Sequence, residues 1–290
     1  MVTSERKIRD SLGSDILYPF QSYIQDPTSG MNVSVVGENS LRVIAQPYEY
    51  AIAQGDIADH TPFYKLGYSP ASSGSQTTLW SVGTEYVWPT VPMQMEAVSS
   101  DNTNDNVGGT GVLTMHLHYL DTNYVEQLEI ITLTGTIPKL TVATNIYRVN
   151  SWHANTTGTG KKAAGNIDIR NLDHTTVYSR CNAGFTRSRN SCYTVPAGKT
   201  LYISDLTFAA GYSTSGKTVR MTLHATITPY ELLASTNGLF FPIFEAMLMD
   251  NILSKSIAMV RKVVEKSDLK VSVVGETNAI CTSEISGWIE

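Results

Sequence analysis

The apolar positions of this chain recur mostly every second residue. In Val112–Leu120, Leu113, Met115, Leu117 and Tyr119 alternate with Thr114, His116 and His118, the pattern of a strand with one buried face and one outward face. Asp121–Tyr124 reads as a turn and Val125–Leu133 as the returning strand of a hairpin. Val219, Met221, Leu223, Ala225 and Ile227 set five successive apolar positions against Arg220, Thr222, His224 and Thr226. Shorter runs at Ile146–Val149, Ile167–Ile169 and Thr176–Ser179 predict further strands, with a polar loop at Asn155–Gly165. Leu269, Val271 and Val273 alternate again, and Ile285, Gly287 and Ile289 predict a last strand held inside a sheet.

The stretch Cys192–Ala210 shows how such strands are joined. Tyr193–Val195 is a short strand and Pro196-Ala197-Gly198 a turn, since proline presets φ and glycine accepts positive φ. After the turn Leu201 and Ile203 share a face, but Leu206 and Phe208 resume it three residues on rather than two. A strand that slips phase by one residue needs a bulge, expected at Ser204-Asp205. Around Thr78-Leu79-Trp80 and Tyr86-Val87-Trp88-Pro89 the sequence predicts an aromatic cover over one edge of a core.

Other parts fit the pattern less well. Ser4–Leu17 has a loose helical spacing broken by Gly13, and Val33–Val36 and Leu41–Ala45 read as short strands about a turn. Leu239–Val264 is helix-forming in composition, yet Pro242 and the lack of a 3.6-residue stripe favour a strand followed by a loop. The hexapeptide Val33–Glu38 recurs as Val271–Glu276 without matching flanks, which suggests two similar edge hairpins. Together these readings predict an all-β fold, an antiparallel β-sandwich or jelly roll over residues 59–290, preceded by an extended arm or docking segment at 1–58.

Composition narrows the function classes. The chain is 42% hydrophobic and only 16% charged, which suits sheets whose outer faces carry Thr, Ser and Asn. A net charge of −5 gives no electrostatic reason to expect nucleic acid. The charged start, MVTSERKIRD, is not that of a signal peptide, and Gly238–Met249 is too short to span a membrane. Cys181, Cys192 and Cys281 are expected as reduced thiols, with a Cys181–Cys192 bridge as the alternative.

Several clusters hold residue types that can do chemistry. His116 and His118 share a strand face, and with His224 on a neighbouring strand they would make three imidazoles for zinc or iron. Two polar outward residues on a solvated or subunit-facing sheet are the default. Asp101, Thr103 and Asp105 imitate the start of a calcium loop, but Val112 stands where the closing glutamate belongs. Gly158–Lys162 lacks the spacing of a phosphate loop. Asn32-Val33-Ser34 and Asn155-Thr156-Thr157 match glycosylation sequons in a chain with no sign of secretion. Arg180, Arg187 and Arg189 form the one basic cluster, either a solvated loop or a contact for an acidic partner. Asp101, Asp105, Glu126 and Glu129 are carboxylates for sugar hydrolysis only in the sense that their spacing is spatial. No catalytic residue, cofactor or metal ligand is therefore assigned.

The segments Phe63–Pro70, Thr78–Pro89, Val98–Gly111, Leu120–Thr136, Tyr193–Ile203, Glu265–Val271 and Ser286–Glu290, in that order, resemble a family of virion structural proteins of tailed bacteriophages, especially aquatic ones. The resemblance implies a non-enzymatic, β-rich head, neck or tail accessory, assembled in the host cytoplasm. By analogy of architecture it would be a homotrimer docked on other virion proteins through residues 1–58. The alternative is a receptor- or glycan-binding fibre head, for which Trp152 beside the Asn155 loop would be an exposed aromatic. A depolymerase is the third reading.

Overall fold

The structure, a computed structural model, describes the backbone of residues 8–9, 15–16, 31–35, 41–45, 47–70, 74–211, 217–228, 233, 238–249, 252–276 and 278–290, with side chains from residue 47 onward except 251–259. The chain divides into two compact units, Met1–Pro62 and Phe63–Glu290.

In the first unit, β1 (Ile8–Arg9) pairs with β2 (Asp15–Ile16), and β3 (Met31–Val35) with β4 (Leu41–Ala45). The described backbone within Ser4–Leu17 is thus a small ladder where the apolar spacing suggests helix. A short helix that period-two reading misses, α1 (Tyr48–Gln54), follows Pro47 and buries Ala51 and Ile52. It stops because Gly55 turns left-handed at φ 79°, while Asp56 N–H donates to Ala51 O at 2.9 Å.

From Thr61 the chain forms β5 (Thr61–Ser69) and then β6 (Thr77–Thr78). Seven strands follow: β7 (Met95–Ser99), β8 (Val112–Leu120), β9 (Glu126–Thr132), β10 (Lys139–Leu140), β11 (Arg148–Thr157), β12 (Ile167–Asn171) and β13 (Val177–Cys181). The chain then runs through β14 (Tyr193–Thr194), β15 (Leu201–Gly211), β16 (Val219–Ala225), β17 (Phe241–Leu248), β18 (Ile252–Val263), β19 (Asp268–Gly275) and β20 (Ile280–Ile289). The fold class is all-β with antiparallel pairing. Leu239–Val264 supplies two strands, so the loop expected after the first is a strand as well. Strand β19, which carries the second copy of the repeated hexapeptide, lies inside its sheet and not at an edge.

The strands form four sheets of three to five members: β18-β15-β20-β5, β14-β19-β16-β17 with β6 also on β19, β10-β7-β12-β13, and β11-β8-β9. This division into blade-sized sheets is propeller-like and is not specifically that of a jelly roll. Two hydrophobic cores result. One draws on the first two sheets through Phe208, Leu201, Ile203, Met221, Leu223, Val271 and Val273, and the other on the last two through Trp152, Met95, Met115, Leu117, Ile167 and Ile169.

The two cores divide the sequence cleanly. The first takes Phe63 and Leu79 and then nothing until Tyr193, whereas the second begins at Trp80 and ends at Cys192. Residues 80–192 are therefore a lobe inserted into an outer lobe. The crossings lie side by side: Leu79 N–H donates to Val271 O, Ser191 N–H donates to Leu79 O, and β6 and β14 both dock on β19. Gly67 allows this approach, since a Cβ there would sit 2.6 Å from Ser283 Oγ and 2.8 Å from Ser191 Cβ.

A buried polar seam joins the lobes. Arg148 of β11 forms a two-pronged pair with Asp268 of β19, with both N–O distances 3.0 Å. The Asn150 side chain donates to Thr194 O and accepts from Thr194 N–H, both at 2.9 Å, and the buried Lys65 ammonium donates to Asn150 O. The predicted bulge is present: the register of β15 against both neighbours shifts between Ile203 and Asp205, which returns Leu206 and Phe208 to the core face. The aromatic cover is present too, with Trp80, Tyr86 and Trp88 in successive edge-to-face contacts.

A three-histidine candidate site

The sheet β11-β8-β9 turns Met115, Leu117 and Tyr119 into the core, so the alternate residues of β8 must face outward. His116 and His118 are therefore on one face. The third imidazole comes from His153 of β11, whose Cα lies directly across from His116. One ring nitrogen from each residue falls within 4.8 Å of the others. His116 and His153 meet edge-on with ring centres 5.1 Å apart, and His118 stacks on His153 at 5.2 Å.

His224, the partner expected from the sequence, is elsewhere. It sits on β16, and its Nε2 lies 2.7 Å from Ser272 Oγ. The physical reason is strand order: β8 pairs with β9 and β11, while β16 pairs with β17 and β19. His153 was legible only as a polar residue next to Trp152. No sequence signal distinguishes it until the register of β11 against β8 is known.

Burial pushes the His153 imidazole down to about 4, helped by His118, His116 and Arg187. Burial also lowers His118, partly opposed by the Glu126 carboxylate. Both rings are then neutral near pH 7, each with an unprotonated nitrogen. Ser151 Oγ lies 3.3 Å from His153 Nδ1 and steadies that ring. Next to the histidines, Leu128 and Ile130 of β9 stand across from His118 and His116, 52% and 54% exposed. The face can take up a metal ion, or it can be covered by protein.

The other candidates resolve into structural roles. Asp105 is fully buried and accepts from Ser99 Oγ (2.7 Å), Val112 N–H (2.9 Å), Ala164 N–H (3.0 Å) and Gly165 N–H (2.8 Å). A carboxylate filled by four donors has no lone pair left for calcium or for acid–base work. Asp101 caps its own loop by accepting from Thr103 and Asn104 N–H, which holds its carboxyl below the usual range. Glu129 accepts from Val142 and Ala143 N–H, while Glu126 stands exposed at the start of β9. Gly158 and Gly160 donate to Gly111 O and Thr110 O, so these glycines serve close backbone packing.

The basic cluster is dispersed over four partners. Arg180 pairs with Asp168 at 2.6 Å, Arg187 donates to Tyr64 Oη, and Arg189 lies between the rings of Tyr68 and Phe185. Trp152 is fully buried, with its indole N–H donated to Ile167 O, so it is no exposed anchor for a glycan. The three cysteines are free and buried, and burial pushes the thiols of Cys181 and Cys281 up to about 12. Asn155 donates to Thr114 Oγ1, and the Asn32 side chain lies outside the described residues. Among the described residues no helix is long and apolar enough to cross a membrane.

Compared with known proteins, the chain matches no protein-family model and no curated protein.

Proposed function

We propose that this chain is a non-enzymatic structural component of a tailed-phage virion, acting by association with further copies of itself and with other virion proteins. The observation that supports self-association most directly is the outward face of β9. Leu128 and Ile130 lie there about half exposed on an edge strand, across from the imidazoles of His118 and His116. Exposed apolar side chains on a sheet edge are costly in a monomer and useful in an assembly. The remaining support is the ordered resemblance of the segments between Phe63 and Glu290 to virion proteins. In this reading each pair of sheets sharing a core is a sandwich, trimeric by analogy of architecture, and residues 1–58 dock on the particle.

Light scattering of the purified chain tests the proposal. An oligomer is expected at micromolar concentration, and the double variant Leu128→Glu/Ile130→Glu is expected to lower its mass to that of a monomer while leaving the fold intact. Exposed substitutions of this kind change stability by only about 0.5 kcal/mol. A wild-type chain that stays monomeric would overturn the reading.

A further inference from the structure

We infer that His116, His118 and His153 form a binding site for one late first-row divalent cation, with zinc the best match. The inference stands apart from the self-association reading and rests on geometry. Strand periodicity places His116 and His118 two residues apart on one face, at a spacing of about 6.6 Å along the strand. Antiparallel pairing sets His153 opposite His116, where Cβ atoms are about 4.5–5.5 Å apart. Both positions are set by the ladder and not by a loop, so the donors are pre-arranged by the same hydrogen bonds that build the sheet.

The donor set selects the metal. Imidazole suits Zn²⁺, Ni²⁺ and Cu²⁺ and is a poor choice for Ca²⁺ or Mg²⁺, which take oxygen. Three protein nitrogens leave a fourth tetrahedral position open to water or to a ligand from outside. One ring nitrogen of each histidine already lies within 4.8 Å of the others. Ser151 Oγ, 3.3 Å from His153 Nδ1, is the outer partner that would leave Nε2 of that ring for the ion. Among the described residues, neither His116 nor His118 has a hydrogen bond to protein that would have to be broken.

The test is calorimetric titration of ZnCl₂ into the chelator-treated full chain, paired with the visible absorption of the Co²⁺ form. One equivalent of Zn²⁺ should bind, and Co²⁺ should give the intense bands of a four-coordinate nitrogen site. His153→Gln and His116→Gln should each weaken binding at least about 10–100-fold, the loss seen even when a supporting residue is removed. His224→Gln should leave it unchanged, and Mg²⁺ should not compete. Uptake that is unaffected by the His116 and His153 variants, or that is lost equally in His224→Gln, would overturn the assignment. So would the absence of any Zn²⁺ uptake by a chain whose circular dichroism is that of a folded β protein. Mass measured with and without Zn²⁺ separates this result from self-association, since a monomer that binds one ion supports the site and refutes only the assembly.

Discussion

The outer lobe and the lobe inserted into it are both antiparallel, yet they are held in different ways. Apart from the two-residue β6 and β14, the outer lobe is built from strands of 7 to 12 residues. Strands β15 and β20 pair over ten residue positions from Leu201–Ile289 to Gly211–Ile280, and its core is chiefly aliphatic. In the inserted lobe only β8 and β11 exceed seven residues, and its core carries Trp80, Tyr86, Tyr119, Trp152 and Tyr178. Between its strands run polar connections whose backbone N–H groups need partners. Asp105 supplies them, collecting donors from β7, from the start of β8 and from the Ala164-Gly165 turn. Where strand pairing is long, alternation suffices to specify the structure. Where it is short, a few buried polar side chains carry the specification instead.

The comparison breaks most readily at Asp105. Asp105→Ala leaves three backbone donors and Ser99 without their acceptor, at about 1–3 kcal/mol each if none rehydrates. A loss of about 4 kcal/mol is therefore expected in urea unfolding. Hydrogen exchange should show lost protection in 99–112 and 163–167 while β15 and β20 stay protected. Equal loss in both lobes would mean that they unfold as one unit and that the distinction drawn here is only descriptive.

The seam gives the next effect. Arg148→Met strands the Asp268 carboxylate in a buried place, and a loss of about 3 kcal/mol is expected. Adding Asp268→Leu should recover much of it, because replacing a whole buried pair by apolar groups is often neutral. A double variant no more stable than Arg148→Met would show that the pair has no such apolar substitute.

Lys65 gives the smallest effect, and it sharpens the picture of the seam through pH. Burial lowers its ammonium to about 8 from an ordinary 10.5. Below pH 8 both folded and unfolded chains hold the proton, and the cost of burying the charge is present in full. Between pH 8 and 10.5 the folded chain releases the proton first, so the unfolded state binds more protons and stability rises with pH. Relative to Lys65→Met, the wild type should thus gain about 2 kcal/mol from pH 7 to pH 10. A difference that stays flat over that range would show that Lys65 is not desolvated as its burial implies.

Much of the outer lobe was legible in the sequence. The five inward positions from Val219 to Ile227 and the phase slip at Ser204 are local facts, and both appear in the structure because a pleat admits only two faces. The strand β18 was missed, since Glu245–Met259 has the composition of a helix and pairing with β15 overrides that preference. α1 was missed for the opposite reason: seven residues are too few to show a helical stripe.

The site was legible only by half. His116 and His118 could be placed on one outward face from periodicity alone, because strand spacing is fixed by the backbone. Which histidine joins them is a question of sheet order and register, and the pairing of residues 116 and 153 carries no trace in a linear pattern. The same holds for Asp105, which looks like a solvated turn residue until its donors close around it from sixty residues away. By itself the sequence determined the strand class, the inward faces and the bulge, all consequences of local backbone geometry. Tertiary structure alone decided that one lobe is inserted in another, which imidazoles meet, and which carboxylate is buried, because each of these depends on contacts between segments far apart along the chain.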